Sequence, residues 1–312
     1  MKHTVLILAG LLIFGAACVS TEDSNKGAKM PKFDNPEHSK VNFWQDVAFV
    51  PDPDDPTGEK GTWKGWFHHD VVDASKVAEG VIRAKVEGEW QEFETVEMPE
   101  PFLTWNWKSR LGQLAGFKKM MMGEEFTPAL HGPHDGIVAT HGVKRNDTYF
   151  TINNAVKGIG WLPEPEKLPG LIKLLKETWD DPMPKKLGVL ESLYRTGMET
   201  FDLTKQSSLE LYARPGFETH TFLNQMADPG VALVFLDLPE SYELRCIAQM
   251  IHPDDPKATG YELQVVEYIN LVHDYFHGKA PRQAIGVIYH VVQVFDNSPP
   301  KGAGRRVVPP QP

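Results

Sequence analysis

The sequence predicts an α+β protein, with a β-rich N-terminal part and a C-terminal β domain against which helices pack. Short runs rich in aromatic and β-branched residues recur along residues 41–162, as is typical of strands. Residues 208–251 combine an alternating run, a short run with helical spacing and a continuously apolar run. The chain has 312 residues, of which 41% are hydrophobic, so it can bury a core without disulfides.

The N-terminus has the pattern of an export signal. Lys2 precedes an apolar run over residues 5–14, and small residues lead directly to Cys18. The run is too short for a spanning helix, which needs about 20 residues. Small residues before a cysteine resemble the bacterial lipobox, although Gly15 stands where that motif usually has leucine. The resemblance implies that 1–17 is a signal peptide and that Cys18 carries a lipid, which anchors the protein in the cell envelope on a periplasmic or outer surface. The alternative is an ordinary secretory signal.

Residues 18–40 are polar and lack an apolar period, so they are predicted to be a tether between the anchor and a domain over 41–162. The formal net charge is −10 and the chain has no basic stripe, which argues against a nucleic-acid partner. Once Cys18 is lipidated, Cys246 is the only cysteine left, so no internal disulfide can form.

Within the N-terminal domain, residues 63–72 and 77–90 are predicted to be strands, and Gly88 allows a turn or bulge. Residues 137–141 and 148–153 flank a predicted hairpin. Residues 102–126 mix aromatic residues with glycines, and no secondary structure is assigned to them.

Apolar residues at helical spacing predict a helix over 163–179, and the following Asp-Asp-Pro-Met-Pro run ends it. Residues 163–184 are therefore interpreted as a helical junction before a domain over 185–298. The tail 299–312 is rich in proline, glycine and arginine and is predicted to be disordered. The elements predicted between junction and tail are strands over 187–194, 198–203 and 208–213, a helix over 217–227, an apolar hairpin of 231–238 and 242–251, a helix over 261–277 and a strand over 284–295.

The run LNQMADPGVALVFLD at 223–237, followed by YELRCIAQMI at 242–251, resembles the FMN-binding split barrels related to pyridoxamine phosphate oxidase. The resemblance covers about residues 187–296. It implies a split-barrel-like C-terminal domain. Because split barrels commonly pair through their sheets, it also implies a homodimer, for which the apolar strand at 284–295 is suited.

In that family the short helix begins with an arginine and a lysine that hold the flavin phosphate. The matching positions here carry Glu218, Thr219 and His220. The resemblance therefore implies Arg214, Thr219 and His220 as the candidate cofactor-binding residues. Split barrels that bind haem also exist, so His220 makes haem a second candidate beside FMN.

Histidines form two candidate metal sites. His273 and His277 lie four residues apart on a predicted helix and therefore share one face, and with Asp274 they resemble a zincin motif. His131 and His134 flank a Gly-Pro turn, with His141 a few residues later. The alternatives are a helix-capping role for His277 and an exposed polar loop.

The chain has no Gly-rich phosphate loop and no GxSxG elbow, so hydrolase and nucleotide-dependent functions lack support. The leading hypothesis is an exported, lipid-anchored ligand-binding or scaffold module that is not an enzyme. The first alternative is a flavin- or haem-binding redox protein of the split-barrel type, and the second is a histidine-based metal-binding protein.

Overall fold

The computed structural model describes residues 42–55, 57–58, 60–125, 132–299 and 304–310. The predicted signal peptide and tether, including Cys18, lie outside these residues, and so does His131. Among the helices of the described ranges, none is long and apolar enough to cross a membrane.

The main sheet is antiparallel and has the order β7-β6-β10-β11-β12-β9-β8, with β13 also pairing β12. Its strands are β6 (Asp135–Thr140), β7 (Asn153–Gly158), β8 (Gly160–Pro163), β9 (Phe201–Glu210), β10 (Gly230–Asp237), β11 (Glu240–Ile251), β12 (Ile285–Asp296) and β13 (Arg305–Val308). The buried faces of β10, β11 and β12 form the centre of the largest hydrophobic core.

Two smaller antiparallel sheets come from the first hundred residues. One pairs β1 (Gln45–Pro51) with β2 (Gly61–Trp66), and the other contains β3 (Val72–Asp73), β4 (Val81–Val86) and β5 (Glu89–Glu94). The predicted turn at Gly88 is confirmed, because this residue joins β4 to β5 with φ +85°. The prediction of one strand over 77–90 is wrong, since a short 3-10 helix precedes the hairpin.

The helices are α1 (Glu100–Met121), α2 (Leu168–Glu177), α3 (Met183–Arg195), α4 (Gly197–Thr200), α5 (His220–Ala227) and α6 (Gly260–His277). Helix α6 begins at a capping box, in which Thr259 and Glu262 bond to each other's backbone N–H groups. Its apolar face packs with α2 and with Ile288 of β12 in a second core. Together with the antiparallel main sheet, these helices confirm the α+β class.

The strands predicted over 187–194 and 198–203 are wrong, because these residues form α3 and α4. Leu187 and Leu193 are buried, and Leu190 and Tyr194 pack beside them, so the apolar positions follow a helical period. Proline lies at the start of α3, where it suits the first helical turn. The strand that leads to the central sheet, β9, begins only at Phe201.

The unassigned residues 102–126 fall mainly in α1. Polar side chains share its buried face, because Asn106 and Arg110 are buried together with Phe102 and Leu114. This mixture obscures the apolar period, so the sequence pattern lacks the clear stripe of α2.

The tail is not entirely irregular, since Arg305–Val308 forms β13. The prediction of disorder is therefore wrong for these four residues. The pairing of β12 with β9 ends at His290, but β12 continues to Asp296. Residues 294–296 therefore have free backbone groups on that edge, and β13 forms hydrogen bonds with them.

From β9 onward the order of elements matches the split-barrel-like order that the resemblance implied: strand, short helix, hairpin, helix and strand. Strands β6 to β8, however, precede the predicted junction and lie in the same sheet as β9 to β12. One sheet thus spans both of the predicted domains.

Strand β12 is apolar on both faces as predicted, but it lies between β11 and β9 and is buried within one chain. It therefore has no free edge over 285–290 with which a second copy could pair. The homodimer stays a prediction, and it requires another surface.

Candidate functional site

Three neighbouring strands end together at one edge of the main sheet. Ile285 at the start of β12 lies opposite Glu210 at the end of β9, and the next residue, Gly286, lies opposite Ile251 at the end of β11. Arg214 follows β9 by four residues, Arg282 precedes β12 by three, and His252 directly follows β11. The pairing register therefore brings three basic side chains to the same end of the sheet.

Arg214 and Arg282 are both exposed. Partial burial and the charge of Arg214 lower the pKa of Arg282. Among the described residues, neither guanidinium forms a salt bridge, whereas the guanidinium of Arg214 lies over the ring of Phe217, 5.7 Å from its centroid. Two adjacent guanidinium groups without carboxylate partners are suited to binding an anion.

His252 adds an imidazole to this sheet end. Burial lowers its pKa to about 4, and the charge of Arg282 acts in the same direction, while Asp254 and Asp255 oppose it. At neutral pH the imidazole is therefore uncharged. It contributes hydrogen-bonding capacity beside the two arginines but no net charge.

The start of α5 uses its polar groups within the protein. The Oγ1 atom of Thr219 accepts a hydrogen bond from the backbone N–H of Phe222 at 3.1 Å. His220 is buried, and its Nε2 donates to the carbonyl oxygen of Val143 at 2.7 Å. Of the three cofactor-binding residues that the resemblance implied, Arg214 is the one with an exposed charged group. As they are placed here, Thr219 does not fit a flavin phosphate, and His220 does not fit a haem iron.

Glu218, immediately before this helix, is only 4% exposed. Its Oε1 accepts a hydrogen bond from Nε1 of Trp44 at 2.6 Å, and its Oε2 has no hydrogen-bond partner in the part of the chain that the structure describes. Trp44 stacks on Phe222, with ring centroids 5.3 Å apart and an interplanar angle of 14°. Burial raises the pKa of Glu218, and the bond from Trp44 opposes this shift.

The substitution Glu218→Gln is expected to remove a pH dependence of stability. Because the folded pKa lies above the unfolded value of 4.5, wild-type protein loses stability as pH rises from 4.5 through the folded pKa. The amide keeps an oxygen for Trp44 and does not ionise. We therefore expect the free energy of unfolding of Glu218→Gln, measured by urea denaturation, to rise relative to wild type between pH 4.5 and 7.

The matched control is Glu89→Gln, at an exposed position on β5. Its stability difference from wild type should stay constant over the same pH range. If the stability difference between Glu218→Gln and wild type is also constant over this range, burial does not raise the pKa of Glu218.

A buried polar network lies beneath α5. The carboxylate of Glu210 accepts hydrogen bonds from Nζ of Lys157 at 2.5 Å and from Nε2 of Gln225 at 2.9 Å. These bonds join β9 to β7 and to α5, and they place the β9–α5 connection that carries Arg214. No sequence pattern marks this network, because the three residues are separated by up to 68 positions and share no motif.

Among the described residues, the predicted metal ligands are only partly brought together. The rings of His273 and His277 do stack, with centroids 4.7 Å apart, and Nδ1 of His273 lies 3.0 Å from Asp274. His134 and His141 lie at opposite ends of β6, roughly 20 Å apart at the rise of a strand. Within the described ranges, no group of three or more His, Cys, Asp or Glu side chains is arranged to hold a metal.

The individual environments of these histidines differ. Desolvation and the charge of Arg110 lower the pKa of His134, a backbone hydrogen bond with Ile159 opposes this shift, and the charges of His277 and His273 add to it. Nε2 of His141 lies 3.9 Å from Oδ1 of Asp228. His290 is buried in β12, where its Nε2 lies 3.0 Å from Oε1 of Gln249.

His68 and His69, predicted to lie in a strand, instead follow β2 in a loop. Nδ1 of His68 lies 2.6 Å from Oδ2 of Asp255, and Nδ1 of His69 accepts a hydrogen bond from the backbone N–H of Met250 at 3.0 Å. Both rings therefore attach this loop to the sheet end.

No family model and no curated protein matches this chain. Among solved structures, HupZ of Group A Streptococcus is 14% identical and has a TM-score of 0.30, with 55% of this chain and 90% of HupZ covered. A Clostridium acetobutylicum protein, described as related to general stress protein 26 of B. subtilis and as pyridoxinephosphate oxidase family, is 9% identical with a TM-score of 0.27, with 63% of this chain and 96% of that protein covered. At these scores neither similarity bears on the fold or the function of this chain.

Proposed function

We propose that this protein is an exported, lipid-anchored ligand-binding module, and that its ligand carries an anionic group bound by Arg214 and Arg282. The observation that carries the proposal is that both arginines lie at the shared end of β9 and β12, where the charge of Arg214 acts on Arg282, and that neither forms a salt bridge among the described residues. An arginine that serves only solubility gains nothing from being placed beside another cation.

The backbone beside Arg214 is fixed by hydrogen bonds. Arg214 and Phe217 exchange backbone hydrogen bonds at 3.0 Å and 2.9 Å, and Glu210 at the end of β9 is held by the buried network. Less backbone entropy is then lost on this side of the site when a phosphate or carboxylate binds, which favours affinity.

Substitution of either arginine is expected to weaken binding of an anionic ligand about 10- to 100-fold, since a hydrogen bond to a charged group contributes about 1.5–3 kcal/mol. We would titrate wild type, Arg214→Ala and Arg282→Ala with inorganic pyrophosphate, FMN and haem by calorimetry. Arg83→Ala is the control, because that arginine is exposed on β4 and lies over the ring of Trp90. Equal binding by all four proteins, or no binding of any of these anions, would overturn the proposal.

The first alternative, a redox protein, is tested with the same samples. The exposed guanidinium of Arg214 is the observation that keeps a flavin phosphate or a haem propionate among the anions to be tested. A stoichiometric flavin or Soret band in the purified protein would identify the ligand as a redox cofactor. A colourless protein that stays colourless after incubation with FMN or haem would exclude both.

Labelling with radioactive palmitate, compared between wild type and Cys18→Ser, tests the anchor.

A further inference from the structure

We propose that loop 141–152 is a membrane-contact loop, whose side chains Tyr149, Phe150 and Ile152 enter the interfacial layer of the bilayer that holds the lipid anchor. This inference rests on the proposed anchor at Cys18. The loop joins β6 to β7, and these three side chains are 92%, 73% and 66% exposed. Three consecutive or near-consecutive large apolar side chains in water are unusual for a loop and mark a contact surface.

The apolar surface continues from the loop onto the sheet. Ile152 lies on the same side of the chain as Val156 in β7, and Val156 pairs directly with Ile137 of β6. Both Val156 and Ile137 are exposed. An aromatic side chain at the tip of an apolar surface is the arrangement found where proteins meet the boundary between lipid and water.

The charged residues of the loop are also compatible with contact with a membrane surface. Arg145 and Asp147 bond to each other at 2.9 Å and 2.7 Å, so their charges are neutralised within the loop. Lys144 is exposed beside them and supplies a positive charge for anionic lipid headgroups. The loop thus presents apolar side chains and a cation although the whole chain has a net charge of −10.

The position of the N-terminal segment selects the membrane as the partner. Phe43 and Trp44, near the first described residue, pack against Phe222 of α5. The loop attaches to the same helix, because Asn224 bonds to the N–H of Val143 at 2.8 Å and to the carbonyl oxygen of Thr151 at 2.9 Å. Helix α5 has only eight residues, a length of about 12 Å, so the tether joins the folded body close to the loop.

The tether length is consistent with simultaneous attachment. The chain between Cys18 and Asn42 can reach at most about 80 Å, so an anchored Cys18 keeps the folded body within that distance of the bilayer. Anchoring therefore keeps the loop at a high effective concentration near the bilayer, where a weak apolar contact becomes populated. The contact would orient the body so that the α5 side faces the membrane.

The test places an environment-sensitive fluorophore on the loop. The full chain keeps Cys18 and carries Tyr149→Cys. A lipid-bearing Cys18 has no free thiol, and Cys246 does not react because it is buried. On vesicles of phosphatidylethanolamine and phosphatidylglycerol we expect a blue shift from this label. A label at Glu89→Cys, on the remote β5 strand, should not shift. Membrane-bound protein whose loop label shows no shift would overturn the proposal.

A second set of variants measures the contribution of the side chains to vesicle partitioning. Phe150→Ser combined with Ile152→Ser should lower the partition coefficient by roughly tenfold for each side chain removed, in proportion to the apolar area withdrawn from lipid. Met122→Ser combined with Met198→Ser, at exposed positions elsewhere, should leave it unchanged. A blue shift that appears without vesicles and grows with protein concentration would instead assign the loop to contact with a second copy. If the wild-type protein is not labelled by palmitate but the loop label still shifts to the blue on vesicles, the lipid anchor is rejected and the membrane-contact loop is not.

Discussion

Replacing Trp44 by alanine is expected to lower the free energy of unfolding by about 3–5 kcal/mol, the usual cost of deleting a large buried aromatic side chain. Trp44 is the one fully buried residue of the segment 42–51, and it stacks on Phe222 and meets the ring of Phe67 edge-on, with centroids 5.5 Å apart. The substitution also leaves Glu218 without its hydrogen-bond donor in a buried position. Urea denaturation at pH 7 would measure the loss.

The matched control is Trp90→Ala, since Trp90 is exposed on β5 and lies beneath Arg83. We expect a cost below about 1 kcal/mol there, because little apolar area returns to water. Protection of the β1–β2 hairpin from proteolysis should also fall in Trp44→Ala and not in Trp90→Ala. Equal stability of the two variants would mean that Trp44 does not hold the N-terminal segment on α5.

Replacing Arg110 by alanine is expected to cost about 2–6 kcal/mol, because two buried carbonyl groups lose their donor and each unsatisfied group costs about 1–3 kcal/mol. Arg110 is 4% exposed, and its Nη2 donates to the carbonyl oxygens of Pro133 and Ile159, both at 2.7 Å. Its Nε donates to Oδ1 of Asn106 at 2.8 Å. One side chain thus links α1 to the segments that flank β6 and β7.

Thermal unfolding and urea denaturation would test this expectation, with Arg245→Ala as the control. Arg245 is exposed on β11 and pairs with Glu243, so its removal should change stability by less than about 1 kcal/mol. Arg110→Lys should rescue only part of the loss, since an ammonium group cannot reproduce the planar set of guanidinium donors. Complete rescue by lysine would show that charge alone explains the role of Arg110.

The elements predicted correctly are those with local boundary signals. The Asp-Pro-Gly run at 228–230 separates α5 from β10, and Gly278 ends α6, so helix and strand limits follow from backbone chemistry within a few residues. The strand predicted over 187–194 is wrong because Leu187, Leu190 and Leu193 lie three residues apart, a spacing that fits a helix and not the alternation of a strand. The sequence of α1 lacks a clear apolar stripe because its buried face includes Asn106 and Arg110.

The candidate site was only partly predictable, because few local sequence signals mark its residues. Arg214, Thr219 and His220 came from a resemblance in element order, and the structure places them in three different environments. The partner of Arg214 in the proposed site, Arg282, had no motif to mark it. It became visible only when the register of β9 and β12 was known.

By itself, the sequence determined the α+β class and the order of elements from β9 to β12, because capping residues, turn residues and apolar periods act over one or two helical turns. Only the tertiary structure decided which polar groups meet. The bond from Trp44 to Glu218 spans 174 positions, and Arg110 reaches Ile159 across 49. Such contacts depend on how strands pair and helices pack, and these long-range choices leave no periodic trace in a single sequence.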